Sequence, residues 1–219
     1  MDNGYISVFW ERAPSLITAL GEHMLMTVIA VILGALIAIP IGIYLSKTKV
    51  QWIQSLIFTI ANIFQTVPSL AMMGMLLPLL GVGLFPAIVA LFLYSLMPIL
   101  RNTYAGFQSI DNEIVESATG MGYGPLQRLF QIELYLALPY IMSGIRLTTV
   151  YIINWATLAT LIGAGGFGQL IVSGLGVYDK PLIFAAAILS MLLALVADYV
   201  LGLVEKVIGT KNYTEKSHI

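Results

Sequence analysis

The chain has 219 residues, of which 59% are hydrophobic and only 10% charged, with a net charge of −1. A soluble domain carries about 25% charged residues, so these side chains cannot cover a water-facing surface, and the mean hydropathy of +0.93 makes the bilayer part of the solvent. Cysteine is absent, which excludes disulfides, thiolate metal sites and cysteine nucleophiles.

The N-terminus, Met1-Asp2-Asn3-Gly4, lacks the basic region of a signal peptide. Residues 1–22 are expected to form an outer-face interfacial segment, with Tyr5, Phe9 and Trp10 at headgroup depth. A membrane span needs roughly 20 apolar residues. The first is predicted at about 23–45, starting near His23. Its Ala30, Gly34, Ala38 and Gly42 recur every four residues and share a face on which another backbone can come close. Tyr44 and Trp52 flank Lys47 and Lys49 as an inner-interface belt.

The second apolar stretch, 53–80, is too long for one straight span and is interrupted at Gln65-Thr66-Val67-Pro68. Charge decides how to count it. As one span kinked at Pro68, with the N-terminus outside, it puts Lys47, Lys49, Arg101, Arg128, Arg146, Lys206, Lys211 and Lys216 at the cytoplasmic side. Only Arg12 and Lys180 then lie outside, as the positive-inside rule wants. Two full spans would leave only Lys47, Lys49 and Lys180 inside. The expected fold is therefore an all-α membrane protein of about five spans, N-terminus outside and C-terminus cytoplasmic.

The third span is predicted at 84–104, followed by a cytoplasmic loop at about 105–138. In that loop Asp111 suits an N-cap, with Glu113 and Glu116 at the positive end of a helix. Ile110, Ile114, Ala118 and Met121 share an apolar face for the membrane or a partner. Gly120, Gly122 and Gly124 stop the helix, and Pro125 opens the next. The fourth span is predicted at 139–162, then a glycine-rich outer loop, the fifth span at 182–204 and a polar cytoplasmic tail at 209–219. Residues 23–208 thus read as a single transmembrane domain.

The fifth span repeats the small-residue stripe with Ala186, Ser190, Ala194, Asp198 and Gly202. Asp198 and Arg146 sit at the same depth, roughly 10 Å from the cytoplasmic end, and are candidate ion-pair partners. The alternatives are that Arg146 snorkels to the headgroups and that Asp198 meets Asn154 or a hydroxyl. No Gly-x-x-x-x-Gly-Lys-Ser/Thr phosphate cradle is present, and the histidines are only His23 and His218. No catalytic residue, metal site or cofactor is expected on this chain.

Glu116-Ser117-Ala118, then Gly122, Ile132 and Leu134, resembles the loop signature of bacterial ATP-binding-cassette importer permeases. Ser117 stands where that signature has Ala, and Tyr135 where it has Pro, which leaves the start of the following helix open. The run Ala156-Thr157-Leu158-Ala159-Thr160-Leu161-Ile162-Gly163-Ala164-Gly165-Gly166-Phe167-Gly168, with Gly144-Ile145-Arg146 and Gln65-Thr66-Val67-Pro68-Ser69, resembles the glycine betaine, carnitine and choline permease group.

That resemblance implies a permease subunit importing a small compatible solute. It implies cytoplasmic ATPase subunits that bind ATP and Mg, a second permease subunit (identical or paralogous), and an extracellular or periplasmic substrate-binding protein, in the inner membrane. Membrane lipid is the remaining partner; nucleic acid is not one. Asp111, Glu113, Glu116, Ser117, Ala118 and Gly122 become the ATPase-coupling candidates. Irregular backbone at membrane depth is tolerated only beside protein or a watery cavity, so Gln65, Thr66 and Pro68 are translocation-path candidates. Asn154 and Trp155 join them, Trp155 as an aromatic face for a quaternary ammonium. The competing reading is an ion-coupled secondary carrier or channel subunit using Arg146 and Asp198, weakened by the absence of an internal repeat.

Overall fold

A computed structural model describes residues 9–216, with side chains described for 9–208. Tyr5, His218 and the rest of both termini lie outside the described residues. The elements are α1 (Ala13–Lys47), α2 (Gln51–Thr66), α3 (Ser69–Leu80), α4 (Leu84–Gln108), α5 (Asn112–Gly120) and α6 (Pro125–Arg128). A π-helical turn (Leu129–Glu133) leads into α7 (Leu134–Ala156), and a 3₁₀ turn (Leu158–Ile162) precedes α8 (Phe167–Val177) and α9 (Lys180–Lys216). Among the described residues four continuous helical stretches are long and apolar enough to cross a bilayer, and the bent pair α2–α3 counts as a fifth if taken as one span. A helical bundle suits the bilayer, because a helix satisfies its backbone groups within its own segment where no water is available.

The first helix starts ten residues before His23, at Ala13, and absorbs the last ten residues of the expected interfacial segment. Proline in its first turn suits a helix start. Leu16 and Ala19 are 5% and 4% exposed, so this early part has a core to pack against. His23, expected at a span edge, is instead mid-helix and fully buried.

The expected kink at Pro68 is a near right-angle break: α2 and α3 meet at 97°. Val67 is extended (φ −65°, ψ 128°), as a residue before proline prefers, and this ends α2 at Thr66. With 12 residues, α3 spans about 18 Å, short of the hydrocarbon core of about 30 Å.

The fourth helical stretch begins at Pro125 rather than Pro139 and runs through the π turn to Ala156. Tyr135 and Pro139 lie inside α7 without ending it. The glycine-rich outer loop contains a helix, α8, that the sequence reading missed. Gly174 there serves close packing: a Cβ on it would stand 2.7 Å from Ile183 Cγ1. The last helix continues to Lys216, so much of the expected tail is helical backbone.

Helix association in lipid rests on close packing at small residues, and α1 shows this against α4. Ala30, Gly34, Ala38 and Gly42 are all buried. A Cβ on Gly34 would lie 1.9 Å from Ser95 Oγ, and one on Gly42 2.8 Å from Thr103 Cβ. On the other side of α4, Gly144 of α7 lies against Asn102, at 2.7 Å from such a Cβ to the Asn102 Cβ. Thus α4 is the central helix, with α1 and α7 on it, α2 and α3 flanking it, and α9 packed outside on α7 and α8.

Candidate functional site

The loop between α4 and α7 is built as its residues dictate. Asp111 Oδ1 accepts the Glu113 backbone N–H at 3.0 Å, capping α5. Gly122 ends the turn at φ +88°, a region open to glycine and strained for other residues. Asp111, Glu113, Glu116, Ser117 and Gly122 are exposed, whereas Ala118 is 1% exposed. The apolar face is divided. Ile110 packs with Phe107, Ala137 and Ile141 of the chain itself, whereas Met121 is 70% exposed. Leu126 and Phe130 behind the turn are also exposed. The free surface is therefore an acidic helix edged by three large apolar side chains.

The loop is fastened by a residue that sequence reasoning passed over. Glu133, in the π turn, is 1% exposed. Its Oε1 accepts from Arg128 Nε at 2.7 Å and its Oε2 from Lys47 Nζ at the inner end of α1. Arg128 reaches on with Nη1 to Thr119 Oγ1 at 2.8 Å, on α5 itself. Lys47 also sits 5.6 Å over the Phe107 ring. A buried carboxylate is tolerable only with such partners. The chain Lys47–Glu133–Arg128–Thr119 therefore clamps the exposed helix to the first transmembrane helix. In the loop signature Glu133 occupies the unspecified position between Ile132 and Leu134, so the motif gives no hint of it.

Arg146 and Asp198 meet directly: Nε donates to Oδ1 at 2.7 Å and Nη2 to Oδ2 at 2.8 Å. Nη1 donates to Glu205 Oε2 at 3.0 Å, a second carboxylate that the depth argument did not include. Asp198, Gly202 and Glu205 fall on one face of α9. Gly202 leaves room for the guanidinium, whose Cζ would be 3.0 Å from a Cβ there.

The five path candidates are split between two faces. Gln65 lines a groove with Asn62, Arg101, Asn102 and Tyr151 between α2 and α7. Thr66 and Pro68 are exposed at the break, with the Thr66 hydroxyl turned back onto the Ile63 carbonyl at 2.9 Å. Tyr94 OH donates to the Val67 carbonyl at 2.5 Å, so the broken backbone is stitched to α4. The Trp155 ring lies tilted at 4.5 Å from Tyr94 and 5.9 Å from Tyr151, and this aromatic column lies beside the break. Asn154 faces elsewhere: it lines a separate groove with Ser190, Ala194 and Asp198 and donates to the Val150 carbonyl at 3.0 Å.

At the opposite end of the bundle, Glu22 Oε2 accepts the Gly166 N–H at 2.8 Å, and His23 Nε2 donates to the Ile153 carbonyl at 2.9 Å. The first bond holds the glycine run before α8 against α1, and the second ties α1 to α7. Among the described residues no group of three or more His, Cys, Asp or Glu side chains is placed to hold a metal.

Comparison with known proteins places the chain in a family and a fold. Residues 38–209 match the family described as binding-protein-dependent transport system inner membrane component. The chain is 48% identical over 185 residues to the choline transport system permease protein OpuBB of Bacillus subtilis, covering 84% of each. It is 44% identical over 191 residues to the glycine betaine/carnitine/choline transport system permease protein OpuCB of the same organism, covering 87% of each. A solved structure of the MetNI methionine ABC transporter, in an inward-facing conformation, superposes with TM-score 0.82 at 21% identity, covering 90% of this chain and 98% of that one. At that identity the likeness shows the fold. Permeases of this family leave ATP hydrolysis to a separate subunit. The chain belongs to the binding-protein-dependent transport system inner membrane components, as the permease subunit of an ATP-binding-cassette importer.

Proposed function

We propose that this permease imports small quaternary ammonium solutes, namely glycine betaine, carnitine, choline or a close analogue. The observation that carries the solute class is the identity of 48% and 44%, over most of each chain, to permeases whose names state those cargoes. We propose further that α5 is the element on which the ATPase subunit acts, through Asp111, Glu113, Glu116, Ser117, Ala118 and Gly122. Its acidic, exposed surface with Met121 beside it fits a docking helix, and the Glu133 clamp gives the ATPase a mechanical hold on α1. The N-terminus lies outside and the C-terminus in the cytoplasm on this reading, because Lys47 and Arg128 then stand on the positive-inside face.

A bundle of five spans is small for a whole pathway, so two permease subunits, identical or paralogous, face each other, and a binding protein delivers solute at the outer end. Gln65, Thr66, Pro68 and Trp155 lie toward the path; Asn154 belongs to the groove along α9.

The test is uptake of labelled glycine betaine, carnitine and choline by a host without its own systems, expressing this chain with its ATPase, second permease and binding protein. Uptake that needs every component, and that ceases when the ATPase is inactivated, is the expected result. Uptake independent of the ATPase, or none of the three solutes carried, would overturn the proposal.

A further inference from the structure

The groove on α4 between α2 and α7, about 210 Å³, is unusual in its lining. It combines Asn62, Gln65 and Asn102 with one cation, Arg101, and with the aromatic side chain of Tyr151, and its lining contains no carboxylate. Lys47, Arg128 and Arg146 each bind a carboxylate. Arg101, exposed in the groove, has no hydrogen-bond or ion-pair partner among the described residues. It stands seven residues before the inner end of α4, about 10 Å inside it. A charge near the inner edge of a span faces water, headgroups, a partner charge or a ligand, and a guanidinium presents a planar fork matched to carboxylate.

The opposite recognition element is in the same groove. Tyr151 is 41% exposed and continues the column Tyr151–Trp155–Tyr94 toward the break at Val67. Aromatic faces attract quaternary ammonium groups, most strongly where water is excluded. A carboxylate receptor and a quaternary ammonium receptor thus lie along one groove, with amides between them. A molecule that uses both has a trimethylammonium at one end and a carboxylate at the other.

We infer that this groove is a transit subsite for a zwitterionic quaternary ammonium solute, with Arg101 taking the carboxylate and Tyr151 the ammonium. The inference rests on the solute class proposed above and adds a division of labour to it. Glycine betaine and carnitine engage both ends. Choline has a hydroxyl in place of the carboxylate, so it engages the aromatic end alone and is repelled by Arg101.

The experiment uses the complete importer in proteoliposomes, with binding protein and ATP. Wild-type uptake of glycine betaine and choline tests the solute class; the ratio between the two solutes in variants tests the subsite. Arg101→Gln should lower glycine betaine uptake about tenfold, the scale of one lost charge-assisted hydrogen bond. Choline uptake should hold or rise, and ATP hydrolysis stimulated by loaded binding protein should persist. Arg101→Lys, which keeps the charge without the fork, should assemble and show the same change in ratio at smaller size, so it decides the matter if the glutamine variant does not assemble. Tyr151→Leu should lower uptake of both solutes. Equal loss of both solutes in the Arg101 variants, no loss of either, or a wild type that carries choline alone would overturn the subsite. If the wild type carries glycine betaine but not choline, loss of uptake with retained ATP hydrolysis supports it, and parallel loss of both activities overturns it.

Discussion

Replacing Glu133 by Gln probes the clamp with almost no change of shape. In the wild type each carboxylate oxygen accepts from a different cation, Arg128 and Lys47. An amide keeps one acceptor and turns the other oxygen into an NH₂, so one cation faces a donor. A hydrogen bond involving a charged group contributes about 1.5–3 kcal/mol. One such bond is lost and the other weakened from carboxylate to amide acceptor. The Lys47 side chain is 44% exposed and can turn to water, against 23% for Arg128, so the Lys47 share is discounted. The expected cost is about 3 kcal/mol, or roughly 6–12 °C by the size scaling of unfolding. Removing a cation leaves Glu133 with its other partner. Lys47→Met should therefore cost least, Arg128→Met more because it also releases Thr119, and Glu133→Gln most. The assay is thermal unfolding of the purified complex together with ATP hydrolysed per solute carried. Glu133→Gln should raise that ratio, because α5, the proposed docking helix, then moves without taking α1 with it. A Glu133→Gln complex with wild-type melting and wild-type coupling, or a Lys47→Met variant as damaging as Glu133→Gln, would refute the reasoning.

Gly168→Ala should destabilise the outer end: its Cβ would come 1.9 Å from the Thr157 carbonyl oxygen, backbone that cannot rotate away, and overpacking of this kind costs about 3 kcal/mol. Unfolding of the purified subunit measures it, and a neutral result would show that α8 shifts freely. In the Arg146 cluster, Arg146→Gln should lower the amount of assembled complex more than Asp198→Asn, since it strands both Asp198 and Glu205 while Asp198→Asn leaves Arg146 its Glu205 bond. The double variant should lose less than the sum, and additive losses would deny the coupling. Gly122→Arg should leave insertion intact and uncouple ATP hydrolysis from transport; full transport by it would count heavily against α5 as the docking helix. Cysteines at Gln65, Thr66 and Ser69 should react with a water-soluble thiol reagent, whereas lipid-like protection at all three would remove the break from the path.

The class of the protein could be read directly from residue order, because the signals are local. Apolar runs of span length, cations gathered at one set of ends and Gly–Pro punctuation each depend on a few neighbouring residues. Asp111, Gly122 and Pro125 specify cap, stop and restart within one short segment, and the structure has all three. The small-residue stripe of α1 likewise declared a packing face before its partner was known. Element ends were less legible. Apolar periodicity cannot show that residues 13–22 acquire a core, and glycine marks a loop and a tight helix contact with the same letter, which hid α8. The angle at Pro68 is also tertiary. Proline ends α2 by local sterics, but the 97° turn is set by what α2 and α3 pack against on α4, including the Tyr94 bond to Val67.

The ionic partnerships lay furthest from the sequence. Lys47 and Glu133 are 86 residues apart, and Arg146 and Glu205 are 59 apart. Equal depth was enough to nominate Arg146 with Asp198, because two straight helices of opposite direction share a ruler. No such ruler exists for Glu133, which sits where a π turn rotates the helix. Whether its carboxylate faces water or two cations is decided by how α1, α6 and α7 converge. The sequence by itself thus determined the solvent, the long apolar helices and the exposed loop helix, all products of short-range chemistry. Which charge each charge answers was decided only by the packing of distant helices, because a Coulomb partner is chosen by distance in space and burial.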